Sequence, residues 1–283
     1  IIISGGGVLY SEAEEEISTF AKKHNIPVTA TVMGIGCMNK DDPYYISAIG
    51  CLGEGSSNNL ATGTDLALAV GTKLGDFTTG SWTNFENENF QLVSINTSRF
   101  DTTKHRATPV VSDAKVGLIE LSKALGDWKA PNEWYNKALE ERKTWDDYVA
   151  KQSGPTNQEL PSYAHAVGAV YRNSDPSDIV VTAAGGLVGE VVQIWKPKQL
   201  NTFETEWGFS CMGYEISGAL GIKMAKPDQD VVVFVGDGSY LLQNSDIYSS
   251  VIYDKKLIII VCDNGGHMVI NRLQLAKGGK EYL

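Results

Sequence analysis

The stretch VVVFVGDGSYLLQN, Val231–Asn244, runs five apolar residues straight into Gly-Asp-Gly and then turns polar. A short apolar run rich in β-branched residues and bounded by glycine reads as a strand buried on both faces, the kind found in parallel sheets. Downstream, a helical pattern over Asn244–Tyr253 puts Ile247, Tyr248, Val251 and Ile252 on one face, expected to pack on a sheet. A second apolar run, KLIIIVC at Lys256–Cys262, follows. Strand, turn, helix and strand occupy about thirty residues, the size of one βαβ crossover. Two parallel strands joined in this way end at the same edge of the sheet, which brings Asp237 towards Asn264 in the CDNGG segment. Open α/β sheets bind ligands at that edge. A carboxylate, an amide oxygen and a main-chain carbonyl are hard donors suited to Mg²⁺, which completes its shell with substrate phosphates and water. Gly236 and Gly238 let the backbone approach a ligand, and amides near Gly238 and Ser239 at a helix start can donate to a phosphate.

The same alternation extends over the chain of 283 residues. From Ile1 to Leu125, the runs III, IPVTATV, DLALAVG and QLVSIN read as buried strands. Helical stretches lie between them, the first opening near Ser11 as an N-cap with Glu12, Glu14 and Glu15 in its first turn. Residues 126–161 are charged and helical, then rich in Gly, Pro and Asn, which predicts a linker helix plus loop. From Ser162 the alternation restarts, with a helix over Ser162–Tyr171 before the strand DIVVTAAGG. The fold class expected is α/β: two doubly wound parallel-sheet, Rossmann-like domains, 1–125 and 162–283, joined by a helical linker.

Composition narrows the function. A net charge of −10 argues against a nucleic-acid or anionic-membrane partner, both of which select clustered Lys and Arg. No apolar run approaches the roughly eighteen residues of a transmembrane helix. Cys37, Cys51, Cys211 and Cys262 show no metal or disulfide spacing, which fits a reducing cytoplasm. Gly5-Gly6-Gly7 is not a dinucleotide fingerprint, because the third glycine of that motif would fall on Tyr10. An EF-hand reading of DGSYLLQNSD fails for want of alternating acids. His267 could face a substrate as acid or base, although a lone His is more often structural, and His24, His105 and His165 show no partner pattern.

Gly-Asp-Gly-Ser between a buried strand and a helix, followed after the next strand by Asp263-Asn264, resembles the fingerprint of the thiamine diphosphate enzymes. The resemblance implies a bound thiamine diphosphate with Mg²⁺ held by Asp237, Asn264 and the main-chain oxygen of Gly266. The sequence departs from the family at Asp263, where Asn is usual; Asp263 is not the expected ligand, though it could compete for the metal. GFSCMGYEISGALG, Gly208–Gly221, resembles the strip in which a bulky apolar residue props the cofactor into a bent shape, a place taken here by Met212 beside Cys211. TAAGGLVGE, Thr182–Glu190, resembles the loop that touches the diphosphate, with Gly186 and Leu187 at the contact.

The segments GGGVLYSEA, AVGTKLGDFTTGS and SINTSRFDTTKH extend the likeness to the branch of the family that opens a trihydroxylated cyclohexane-1,2-dione in inositol breakdown. That branch implies a central domain over Ile1–Leu125, most of a diphosphate-binding domain from Ser162, and a small cyclic dione as substrate. It implies a homo-oligomer, dimer or tetramer, with the site completed by a second subunit. It also places the pyrimidine-binding domain, with the glutamate that activates the cofactor, upstream of Ile1, and the rest of the last domain downstream. The rival expectations are another enzyme of the same cofactor, of the acetolactate synthase or 2-oxo acid decarboxylase kind, an inactive cofactor-binding fragment, and a nucleotide-binding or non-catalytic α/β protein.

Overall fold

A computed structural model describes residues 1–281 of the chain. The chain divides into two compact units, Ile1–Gln152 with Lys196–Asn201, and Ser153–Trp195 with the residues from Thr202 onward.

The first unit contains, in order, β1 (Ile2–Ser4), α1 (Gly6–Tyr10), α2 (Glu14–His24), β2 (Val28–Ala30), β3 (Tyr45–Ala48), α3 (Gly55–Gly63), β4 (Leu66–Val70), α4 (Asp76–Thr79), β5 (Gln91–Asn96), α5 (Arg99–Thr103), β6 (Thr108–Val111), α6 (Ala114–Leu125) and α7 (Asn132–Gln152). Its six strands are ordered β3-β2-β1-β4-β5-β6, and every pairing is parallel. This is the doubly wound order expected. Ile3, Ile46, Leu60, Ala67, Ala69 and Leu92 form the core on one face. Two strands escaped the sequence reading. One is β3; the other, β6, is largely exposed and carries Pro109, which an edge strand tolerates because one side of its backbone needs no partner. The triple glycine is a close-approach device, since a Cβ at Gly5 would lie 2.4 Å from the Gly71 carbonyl oxygen and one at Gly7 2.6 Å from Gly71 Cα.

Two expectations for this unit are corrected. Ser11 does not cap the acidic helix: it ends α1, donates to Asp113 Oδ2 at 2.6 Å, and leaves α2 to start after Ala13 without a side-chain cap. The helix expected in a linker, α7, is built into the first unit. Ala138 is buried in its core, Tyr135 stacks on Tyr44, and the Arg142 guanidinium donates to the carbonyls of Lys40, Asp42 and Tyr45 at 2.6, 2.9 and 2.7 Å. Charged residues cover its solvent side, so its composition resembles that of a linker although one stripe is anchored.

The second unit contains α8 (Tyr163–Asn173), β7 (Ile179–Thr182), α9 (Leu187–Ile194), β8 (Phe203–Thr205), α10 (Tyr214–Ala225), β9 (Val231–Gly236), α11 (Asp237–Gln243), α12 (Ser245–Ile252), β10 (Ile258–Cys262) and α13 (Met268–Ala276). Its parallel sheet has the order β10-β9-β7-β8. Residues Val231–Val235 of β9 are buried throughout, with Val231, Val233 and Val235 in a cluster with Ile216 and Ala219 of α10. Ser162 caps α8 in a capping box completed by His165, which gives that histidine a structural partner. Gly-Asp-Gly is the start of helix α11, not a free turn. The expected sheet-facing stripe of α12 is also corrected: Ile247 packs on the core cluster, whereas Tyr248, Val251 and Ile252 are exposed and Ser250 is buried.

Candidate functional site

Strand order fixes where a site can lie in the second unit. The chain leaves β7 for β8 on one side and returns to β9 on the other, so the order reverses at β7 and opens a crevice at the carboxyl ends of the strands. A cavity of about 230 Å³ occupies this place. Ala184, Gly185, Gly186 and Leu187 follow β7, Gly236 ends β9 and Asp237–Ser239 follow it, and Asn264, Gly266 and His267 follow β10. Ser210 and Met212 line it from the segment before α10, and Tyr163 from α8. The register pairs Cys262 with Gly236, so the chains leave β9 and β10 side by side, carrying Asp237 and Asn264 to one wall as the spacing predicts.

Most of the expected residues meet here. Gly186 is the N-cap of α9 and Leu187 its buried first residue. Met212, 38 % exposed, offers an apolar flank. The N-cap of α11 is Gly236, with no side-chain cap, which leaves the leading N–H groups open to an acceptor in the cavity. Asn264 Nδ2 donates to the Tyr163 hydroxyl, an arrangement that turns its oxygen away from the tyrosine. Burial and Asp237 nearby raise the Tyr163 pKa, burial being the larger cause. The Gly266 carbonyl accepts from Met268 N–H at 2.9 Å and retains a second lone pair.

One expectation needs adjustment. Cys211 does not line the cavity: it is exposed, and its N–H donates to Glu206 Oε2 at 2.7 Å, because Glu206 closes the turn ahead of α10 and draws Cys211 out. The same carboxylate raises the Cys211 pKa by hydrogen bonding. Asp263, which by its sequence position could compete for the metal, has one oxygen engaged in the turn, where Oδ1 accepts from Gly265 N–H at 2.9 Å. His267 lies against Gly238, where an added Cβ would come 2.7 Å from its Cε1.

The sequence reading missed Tyr163 and Glu215. Glu215 is fully buried and accepts from Ala184 N–H, Gly213 N–H and the Ser239 hydroxyl. A lone acid inside the apolar run GYEISGALG was its signal. Among the described residues no group of three or more His, Cys, Asp or Glu could hold a metal ion. A metal at this wall would therefore draw on amide, carbonyl and ligand oxygens beside Asp237.

A cavity walled by glycines, one carboxylate and one amide at a switch point is where open α/β sheets bind their ligands. The chain belongs to the thiamine pyrophosphate enzymes: residues 1–121 match the central domain of that family and residues 183–283 its C-terminal TPP binding domain. It is 36 % identical over 301 residues to a 3D-(3,5/4)-trihydroxycyclohexane-1,2-dione hydrolase from Geobacillus thermodenitrificans, covering 98 % of this chain and 46 % of that protein. It is 35 % identical over 309 residues to one from Lacticaseibacillus casei, covering 100 % and 48 %. The like-named protein of Clostridium tetani is 36 % identical over 302 residues, covering 98 % and 47 %. The chain thus spans about half the length of the curated relatives it matches. Among the described residues no helix is long and apolar enough to cross a membrane.

Proposed function

We propose that this chain carries the cofactor-anchoring part of a thiamine diphosphate- and Mg²⁺-dependent hydrolase that opens trihydroxycyclohexane-1,2-dione to 5-deoxy-glucuronate in inositol catabolism. The observation that carries this reading is the likeness to hydrolases so named along 98 % or more of the chain.

The residues of the cavity fit both groups. A Cβ added at Gly185, Gly236 or Gly266 would meet nothing within 4 Å, so these cavity glycines border open space that a diphosphate could fill. The Asp237 carboxylate, the Asn264 amide oxygen and the Gly266 carbonyl would hold Mg²⁺, a cation that favours such oxygens and leaves positions for phosphate. The leading N–H groups of α11 and the turn before Leu187 would hold the phosphate oxygens. Tyr163 orients the Asn264 amide so that its oxygen serves the metal, and Met212 supplies apolar support to the cofactor's body. Thiamine diphosphate, when bound, supplies an acidic ring carbon that adds to carbonyls and holds the electron pair released when the neighbouring C–C bond breaks. The protein's part at this cavity is to anchor, orient and exclude water from the charged end.

The test is product analysis. The complete encoded protein, supplied with thiamine diphosphate, Mg²⁺ and the cyclic dione, should release one equivalent of ring-opened acid and leave pyruvate untouched. Consumption of pyruvate with no acid from the dione would move the assignment to another enzyme of this cofactor.

A further inference from the structure

Glu215 has no place in the proposed metal clamp, yet it is bonded to three of the segments that build the cavity, those after β7, before α10 and after β9. It lies in the first turn of α10 and is 0 % exposed. Its Oε1 accepts from Ala184 N–H at 3.2 Å and its Oε2 from Gly213 N–H at 2.9 Å. The Ser239 hydroxyl donates to the carboxylate, 2.9 and 2.8 Å from its two oxygens, and accepts from Gly213 N–H at 2.7 Å. The partners are two backbone amides and one hydroxyl, on three segments far apart in sequence. Ala184 opens the turn that leads to Gly186 and Leu187, Gly213 follows Met212, and Ser239 ends the Gly-Asp-Gly-Ser start of α11.

We propose that Glu215 is a positioning residue for the diphosphate cavity: one buried carboxylate sets the spacing of the three lining segments it joins without touching the ligand. The proposal rests on the reading of this cavity as the thiamine diphosphate site. A carboxylate is suited to the task because it offers about four lone pairs and no donor, so N–H and O–H groups converge on it from several directions. Bonds to an ionised acceptor are also shorter and stronger than neutral ones. A carboxamide of the same shape turns one oxygen into an NH₂, which faces at least one N–H donor head-on and releases that wall. The network also commits the Ser239 hydroxyl to Glu215, so Ser239 serves the ligand through its backbone.

The test is calorimetric titration of thiamine diphosphate, and separately of inorganic pyrophosphate, at saturating Mg²⁺ into the complete encoded protein and three variants. Glu215→Gln should weaken both ligands about tenfold, the equivalent of one charge-assisted hydrogen bond. Ser239→Ala should weaken both about threefold, the cost of a weaker neutral bond. Melting curves of the cofactor-free variants should stay within a few degrees of the parent, as suits an isosteric change and an alanine in a helix. Unchanged or tighter binding in both variants, with only a lowered melting temperature, would overturn the proposal and leave Glu215 a purely structural acid. If Glu215→Gln does not fold, Ser239→Ala decides alone by the same criterion. Asp237→Ala separates the two levels. Should it bind thiamine diphosphate normally, the cofactor reading itself falls; should it lose Mg²⁺-dependent binding while Glu215→Gln keeps it, only the positioning role falls.

Discussion

Replacing Glu54 by glutamine should flatten the pH dependence of stability in the first unit. Glu54 is the N-cap of α3 and 2 % exposed. Its Oε2 has no hydrogen-bond partner and lies 3.7 Å from Lys196 Nζ, which is itself paired closely with Asp146. Burial pushes the Glu54 pKa from its ordinary 4.5 up to about 8; Lys196, Ser47 and Arg142 pull it down and Asp146 pushes it further up. An acid whose folded pKa is raised contributes stability that is fully present below its unfolded value and lost as pH rises through the folded one. At about 1.4 kcal/mol per pH unit, the separation of 4.5 from about 8 limits the total loss to about 5 kcal/mol, of which about 3 falls between pH 6 and 9. Urea melts of the parent and of Glu54→Gln at pH 6, 7.5 and 9 isolate the term, since every other titrating group is common to both. The parent should lose about 3 kcal/mol more than the variant over that range. Parallel pH profiles would refute the reasoning and show that Lys196 holds Glu54 ionised throughout.

Other outcomes follow from the second unit. Gly168→Ala would drive a Cβ to 2.2 Å from the Ser153 carbonyl oxygen, a backbone atom that cannot swing aside; a loss of about 2 kcal/mol or more is expected in thermal melts, and an unchanged melting temperature would contradict the packing described. Tyr163→Phe removes the acceptor that orients Asn264; Mg²⁺ should bind about threefold to tenfold more weakly in the presence of thiamine diphosphate, with stability unchanged, and equal Mg²⁺ titrations would show that the amide needs no such support.

The parallel sheets and the placing of Asp237 and Asn264 at one edge of the sheet were legible because both depend on local pattern. An apolar run ending in glycine marks a buried strand, and a single crossover returns the chain to the same edge. The face of α12 was not legible for a reason of the same kind. Helical periodicity states which residues lie near one another around the helix, but it does not state that the buried sector is centred on Ser250, which takes in Ile247 and leaves Tyr248, Val251 and Ile252 outside. Glu215 and Tyr163 were missed because their partners are tertiary: Ala184 precedes Glu215 by 31 positions and Asn264 follows Tyr163 by 101. For α7, a charged surface hid one anchored stripe, and only the carbonyls gathered by Arg142 reveal its attachment.

The short return of Lys196–Asn201 to the first unit sets a timetable for synthesis. Domains emerging from a ribosome tend to fold in order, N-terminal first. Here the first unit cannot complete its charge cluster when Gln152 appears, because the ammonium group that stands between Glu54 and Asp146 belongs to Lys196. By the time Asn201 is made, β7 and α9 of the second unit have already been translated. The first unit is therefore expected to finish only after part of the second has been made, and a released chain ending at Gln152 should be more sensitive to protease in the first unit than one that continues past Asn201.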